Sequence, residues 1–80
     1  MESKIYGLFD KKLGRFMTPP LVVRDDAEAV ATVERALPKN ILPDVQVELI
    51  GSFDDATGVI TPLSHDIVYV GAAHSEVANG

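Results

Sequence analysis

The chain has 80 residues, a mass of 8.6 kDa, no cysteine and a formal net charge of −5. This length predicts one domain with a small core, and the absence of thiols excludes disulfides and cysteine-ligated metal sites. The charge argues against a protein that coats nucleic acid with its whole surface, and no apolar run reaches the roughly 20 residues of a membrane span.

Charge is divided unevenly along the sequence. Residues 1–40 contain all seven Lys and Arg together with six acidic residues, whereas residues 41–80 contain six acidic residues and no Lys or Arg. The first half is therefore weakly basic and the second half is acidic. We expect one folded domain over residues 1–71 and a flexible tail over 72–80, where the sequence becomes small and polar.

Two stretches share one turn pattern. Residues 7–14 read Gly-Leu-Phe-Asp-Lys-Lys-Leu-Gly, and residues 51–58 read Gly-Ser-Phe-Asp-Asp-Ala-Thr-Gly, at an offset of 44 residues. The Asp can accept hydrogen bonds from backbone N–H groups of the turn, and the last Gly can adopt the positive φ that closes the loop. The pattern predicts two β-hairpins of one design, although such turn chemistry is common enough to recur by coincidence.

One helix is predicted between the hairpins. Asp25 or Asp26 can cap it, Glu28 lies in a capping-box-like position, and Pro38 ends it. Its predicted apolar stripe consists of Ala27, Val30, Ala31, Val33 and Leu37. A helix this short is marginal alone, so it must pack on the sheet.

Strands are predicted at 4–9, at 15–17 with a continuation at 21–23, at 45–53 and at 59–61, and the run 66–70 could add a fifth strand. The order β-β-α-β-β predicts an α+β fold in which the helix covers one face of an antiparallel sheet. Side-chain alternation places on the other face Lys4, Tyr6, Leu8, Glu48 and Ile50. That half-apolar face predicts a homo-oligomer, most simply a two-fold dimer. The predicted interface residues are Tyr6, Leu8, Ile50 and Tyr69.

No residue pattern indicates catalysis or a bound cofactor. Asp54 and Asp55 lack the alternating spacing of a calcium loop and are interpreted as turn residues. His65 and His74 are nine residues apart without further ligands, which does not make a zinc site. Nucleophile elbows and phosphate-binding glycine loops are also missing from the sequence. The chain is therefore predicted to be non-enzymatic, with no cofactor and no metal ion.

The first hairpin carries the one pattern that points to a ligand. Its basic and aromatic side chains are Lys4, Tyr6, Lys11, Lys12, Arg15 and Phe16. Single-stranded nucleic acids bind in positive grooves that contain aromatic side chains for base stacking. The first five of these residues form the predicted nucleic-acid site. The alternative is a solvated hairpin with Tyr6 in a subunit interface.

Two segments of the sequence resemble those of a known family. Residues 4–12 read Lys-Ile-Tyr-Gly-Leu-Phe-Asp-Lys-Lys, and residues 49–62 read Leu-Ile-Gly-Ser-Phe-Asp-Asp-Ala-Thr-Gly-Val-Ile-Thr-Pro. Together with the Pro-Pro segment and the Asp-rich start of the helix, they resemble the small nonstructural protein of gokushoviruses. These bacteriophages belong to the Microviridae and have circular single-stranded DNA genomes. The resemblance spans about residues 4–70.

The resemblance implies a phage protein of the host cytoplasm that binds DNA, with single-stranded DNA as the expected partner. Its implied role lies in genome replication or in the switch to single-strand synthesis and packaging. The resemblance carries over no catalytic residue. The acidic second half departs from a simple DNA-binding protein and leaves another function open. That alternative is an oligomeric interaction module that binds phage replication or capsid proteins and no nucleic acid.

Overall fold

The computed structural model describes residues 2–70 of the chain. Its elements are β1 (Glu2–Asp10), β2 (Arg15–Val23), α1 (Asp26–Ala36), a 3₁₀ helix (Leu42–Asp44), β3 (Val45–Asp54) and β4 (Val59–Val70). The strands form one antiparallel sheet in the order β2-β1-β3-β4. α1 packs on one face of this sheet. The predicted α+β fold with two antiparallel hairpins is confirmed.

The two hairpin turns are built alike. The Asp10 carboxylate accepts hydrogen bonds from the backbone N–H groups two and three residues later, at 2.9 and 3.0 Å, and the Asp54 carboxylate accepts one from the N–H two residues later at 2.9 Å. Gly14 and Gly58 donate their N–H groups to the Asp10 and Asp54 carbonyls at 2.7 Å. Their φ values of 73° and 78° lie in the left-handed region, which favours glycine.

The predicted N-terminal cap of α1 is confirmed. The Asp25 carboxylate accepts the Glu28 N–H at 2.8 Å, and the Glu28 carboxylate accepts the Arg24 N–H at 3.0 Å. These bonds satisfy backbone donors that have no partner inside the helix. The helix ends at Ala36, two residues before Pro38.

The predicted apolar stripe of α1 needs correction. Ala29 and Val33 are its buried side chains, whereas Ala27 and Ala31 are exposed. Val30 and Leu37 are half-buried. The helix is thus rotated relative to the prediction because the alanines, which suit either face, do not define which side meets the sheet.

The sheet face beneath α1, here called the covered face, carries the side chains Tyr6, Leu8, Val45, Val47 and Leu49. Tyr6, Val45 and Val47 are completely buried, and Tyr6 donates its hydroxyl hydrogen bond to the Asp26 carboxylate in the first turn of α1. This contradicts the predicted placement of Tyr6 and Leu8 on the uncovered face. The reason is a bulge: the pairing shifts from Ile5 opposite Gly51 to Tyr6 opposite Leu49, which reverses the facing of part of β3.

β4 joins two stretches that were predicted separately. Residues 59–61 and 66–70 belong to one strand of twelve residues, paired with β3 and interrupted by two register shifts. The bulges accommodate the extra residues of β4. Within residues 2–70 the run 66–70 is therefore the second half of β4 and not a fifth strand. The predicted tail at 72–80 lies outside the described residues.

Candidate binding surfaces

The sheet face opposite α1, here called the open face, has no layer of chain over it within residues 2–70. The strand register places on it apolar side chains from all four strands: Ile5, Phe9, Phe16, Val22, Ile50, Phe53, Ile60, Ile67 and Val70. Among residues 2–70, five of the eight large apolar side chains that are exposed belong to this set. Their concentration on one face is more than the scatter of single apolar residues normal on a protein surface.

Gly7 lies at the centre of the open face, beneath the ring of Phe16. A Cβ at residue 7 would come within 2.8 Å of Phe16 Cε1 and 3.4 Å of Ile50 Cδ1. The Phe16 ring also meets Phe9 edge to face, with centroids 5.1 Å apart, and meets His65 in the same way at 6.0 Å. Because Gly7 has no side chain, Phe16 can lie close to the backbone of β1. There it forms a row of aromatic rings with Phe9 and His65, called the aromatic row below.

One polar cluster lies within the open face. His65 Nδ1 is 3.2 Å from Glu48 Oε1, and Gln46 Nε2 donates to Glu48 Oε2 at 3.0 Å. Glu48 is only 9% exposed, so both oxygens of a nearly buried carboxylate have a partner. Among residues 2–70 no group of three or more acidic or His side chains could hold a metal ion.

The predicted interface residues divide between the two faces. Ile50 lies on the open face, above Gly7. Tyr6 and Leu8 lie on the covered face. Tyr69 also lies there, because it pairs with Val47, and its hydroxyl donates to Glu34 of α1 at 3.4 Å. Of the four predicted residues, only Ile50 is therefore available to a second subunit through the open face.

The turn of the first hairpin forms a cationic end of the sheet. Lys11, Lys12 and Arg15 are exposed there, and these three side chains are called the basic end below. Beside them is a groove of about 370 Å³, lined by Asp10, Leu13, Arg15, Phe16, Met17 and Thr18. Asp10 also lines the groove, and its carboxylate accepts two backbone N–H groups of the turn. The groove thus combines apolar walls with adjacent cations.

The structure separates the other two predicted nucleic-acid residues from this groove. Lys4 pairs with Val23 and Ser52, six residues before the turn at Asp10 and therefore roughly 20 Å from it along an extended strand. Tyr6 is completely buried beneath α1, so its ring cannot stack on a base. Of the five predicted residues, the structure brings Lys11, Lys12 and Arg15 together at one end of the sheet, and the burial of Tyr6 contradicts its predicted role.

The opposite end of the sheet is acidic. Glu2 pairs with Asp54, and Asp55 begins the turn that follows β3; these three residues are called the acidic end below. β1 runs from Glu2 to Asp10, so the acidic and basic ends lie roughly 26 Å apart on one sheet. The nearest cation to the acidic end along β1 is Lys4.

Sequence reasoning missed the aromatic row and the polar cluster of the open face. Phe9, Phe16 and His65 come from three strands, and His65 is 49 residues from Phe16. The nearest signal in the sequence was Gly7, since a buried glycine within a strand often marks a close approach of another group.

Comparison with protein family models, with curated proteins and with solved structures gave no match for this chain. Among residues 2–70, the single α-helix is too short and too polar to cross a membrane.

Proposed function

We propose that this chain is a non-enzymatic DNA-binding protein that holds single-stranded DNA at the basic end. The observation that carries the proposal is the exposed groove between Leu13 and Phe16, with Arg15 in its wall and Lys11 and Lys12 beside it. The resemblance to gokushovirus nonstructural proteins supports a role in the host cytoplasm. That role would lie in genome replication or in the switch to single-strand synthesis and packaging.

The chemistry of the groove suits one unstacked nucleotide. Leu13 and Phe16 are 64% and 40% exposed, which provides an apolar surface for a base. The cations can contact the phosphates on either side of that base. The groove volume lies within the range of small-ligand sites, which suits a single base.

The charge distribution limits how strongly DNA can bind. Three cations neutralise at most three phosphates, which gives a slope of roughly −2 for the logarithm of affinity against the logarithm of salt concentration. Affinity should therefore fall about 20-fold between 50 and 200 mM salt. Because the acidic end repels phosphates, the strand should approach near the first turn and not along the whole sheet.

The test is fluorescence anisotropy of a labelled single strand at two salt concentrations. The variant Lys11→Glu, Lys12→Glu, Arg15→Glu should lose at least about tenfold in affinity together with most of the salt slope. The matched control is Arg24→Glu, Arg35→Glu, Lys39→Glu, which changes the net charge equally on exposed residues elsewhere. Equal losses in both variants would show a general charge effect and remove the basic end as the site.

The second candidate function is a protein–protein module with no nucleic-acid binding. The observation that favours it is the open face, whose apolar side chains come from all four strands. This function predicts a stable oligomer that leaves the anisotropy of single-stranded DNA unchanged at low salt. Its partners would be further copies of the chain or phage replication and capsid proteins.

A further inference from the structure

We infer that single-stranded DNA held at the basic end continues onto the open face, where its next base stacks on the ring of His65. The aromatic row is then a second contact for bases, beyond the groove at the first turn. This inference rests on the proposed function, since it extends the path of the same strand. It assigns the open face to a nucleic acid and not to a protein.

Phe16 connects the groove to the open face. Its side chain lines the groove beside Arg15, and the same ring meets His65 edge to face, with centroids 6.0 Å apart. The ring approaches the backbone with one edge, since Cδ1 and Cε1 would lie 2.9 and 2.8 Å from a Cβ at Gly7. This edge-on position, together with an exposure of 40%, leaves part of the ring faces available to a base.

Phe16 and His65 can each accept one base. Their ring planes are 85° apart, so a flat base cannot lie parallel to both rings. Stacking therefore needs one base on Phe16, from the side of the groove, and the next base on His65. The side chain of His65 is 57% exposed, and every base has a face that can stack on an aromatic ring.

The polar cluster holds the His65 ring in place. His65 Nδ1 lies 3.2 Å from one oxygen of Glu48, and the other oxygen accepts a hydrogen bond from Gln46. Because Glu48 is nearly buried and both of its oxygens have a partner, it positions the ring without presenting an unpaired negative charge to the DNA. A ring that is already ordered loses less conformational freedom when a base stacks on it.

The acidic side chains of the strands face α1, with one exception. The strand register and the alternation along each strand place on the covered face Glu2, Asp10, Asp54 and Asp66. Among residues 2–70 the exception is Glu48. α1 carries further acidic side chains on its own side of the sheet. A chain with a net charge of −5 thus offers phosphates one face with little repulsion.

The aromatic row lies close to the basic end. Phe9 pairs with Phe16 directly beside the first turn. Gly7, beneath the Phe16 ring, is three residues from the end of β1 and therefore roughly 10 Å from the turn, whereas the acidic end is roughly 16 Å away in the other direction. A strand that crosses the row stays beside the lysines of the turn. These cations favour a nucleic acid over an apolar protein surface, because they neutralise the phosphates that connect stacked bases.

The first test compares two substitutions that separate the ring of His65 from its hydrogen bond. His65→Gln keeps a donor for Glu48 but has no ring, whereas His65→Phe keeps a ring but has no donor. In an anisotropy titration with a labelled thymidine octanucleotide, His65→Gln should lose about fivefold or more in affinity, as expected for one stacked base. His65→Phe should bind nearly as well as the wild type. The salt slope should stay the same in both, because neither variant removes a lysine or arginine.

The matched control for these variants is Val59→Gln. Val59 is 56% exposed on the same strand but faces the other side of the sheet, so this variant should bind like the wild type. Wild-type affinity in His65→Gln would overturn the inference. So would an equal loss of affinity in His65→Gln and His65→Phe, because the ring would then make no contribution of its own.

The second test uses the wild-type chain and needs no stable variant. A base that stacks on the imidazole should move the ring C–H signals of His65 upfield in the proton NMR spectrum when the octanucleotide is added. Unshifted signals at saturating DNA would overturn the inference. A shift that follows the protein concentration in the absence of DNA would assign the open face to a second copy of the chain and would overturn it as well.

Failure of this inference and failure of the proposed function give different results. If Lys11→Glu, Lys12→Glu, Arg15→Glu loses affinity while His65→Gln does not, DNA binds at the basic end alone and only the inference fails. If His65→Gln loses affinity while the triple variant does not, the aromatic row is retained and the basic end is removed as a site. A wild-type chain that does not bind the octanucleotide would remove both.

Discussion

The two hairpins share their turn design but differ in everything that could contact a partner. In the first turn Asp10 is followed by Lys11 and Lys12, whereas in the second turn Asp54 is followed by Asp55. The hydrogen bonds and the positive φ of the closing glycine are nearly the same in both. Turn geometry therefore depends on two residues, Asp and Gly, and the positions between them are free to carry opposite charge.

The hairpins also differ in which face their equivalent residues occupy. Tyr6 and Ile50 correspond at the offset of 44 residues, yet Tyr6 is buried under α1 while Ile50 lies half-buried on the open face. Substitutions at equivalent positions of the two hairpins should therefore have different effects.

The largest difference in the free energy of unfolding is expected between Tyr6→Ala and Ile50→Ala. Tyr6→Ala removes a fully buried ring and its bond to Asp26, which should lower the free energy of unfolding by about 4 kcal/mol. Ile50→Ala removes a half-buried side chain and should cost about 1.5 kcal/mol when the protein is dilute. Urea unfolding followed by circular dichroism measures both. Equal losses in dilute protein would contradict the assignment of the two faces.

Under the protein–protein candidate function, the protein concentration should affect the two variants differently. If a second copy covers the open face, Ile50→Ala also removes dimer contacts. Its cost should then rise with protein concentration, while that of Tyr6→Ala should rise much less. Unfolding midpoints measured at 1 and 100 μM would separate the two contributions.

The next prediction concerns pH and compares the tyrosines, one in each hairpin. Burial, followed by the bond to Asp26 and by nearby acidic charge, raises the pKa of Tyr6 well above its usual value of 10.0. Burial and Glu34 also raise the pKa of Tyr69. In both residues the folded state holds the phenol proton more tightly than the unfolded chain does. This stabilisation is complete below pH 10 and is lost as the pH rises through the folded pKa.

The free energy of unfolding should therefore fall above pH 10, by up to about 1.4 kcal/mol per pH unit for Tyr6 alone. Tyr6→Phe should reduce this slope, and Tyr69→Phe should reduce it less, because Tyr69 is less buried. The measurement is urea unfolding at several pH values, with the ultraviolet absorbance of tyrosinate recorded in parallel. An unchanged slope in Tyr6→Phe would show that other groups cause the alkaline loss.

The smallest difference in the free energy of unfolding is expected between Asp10→Ala and Asp54→Ala. Each removes the carboxylate that holds a turn, and each should cost about 1 kcal/mol. Asp10 accepts two backbone N–H groups of its turn and Asp54 accepts one, so Asp10→Ala should cost a few tenths more. Asn at either position keeps an acceptor oxygen and should restore most of the stability. A large loss in the free energy of unfolding at only one turn would show that the two turns differ in stability although their geometry is alike.

Local signals made the hairpins, the cap of α1 and the α+β class predictable from sequence. Asp and Gly determine a turn within five residues, and Asp25 caps a helix three residues away. The assignment of faces was not predictable, because β1 and β3 carry apolar residues on both sides and a single bulged residue reverses the alternation. Nothing in Tyr6 itself shows that it will meet Asp26, which is 20 residues away.

The residues of the binding surfaces were likewise predictable only where they are close together along the chain. Lys11, Lys12 and Arg15 stay together because one short turn connects them. Lys4 belongs to the same hairpin and shares a strand face with Tyr6, but the extended strand carries it toward the other end of the sheet. The contact between Phe16 and His65 depends on the strand order, which the sequence did not determine.

The strand order also decides where the sheet could grow. β2 and β4 are its two outer strands, and they differ in how well they resist a further strand. Pro19 and Pro20 lack an N–H and interrupt any new ladder along β2, whereas β4 is twelve residues long with one proline, Pro62. Unwanted edge-to-edge pairing, and any fibre that grows from it, would therefore start at β4 and leave the β2 edge free.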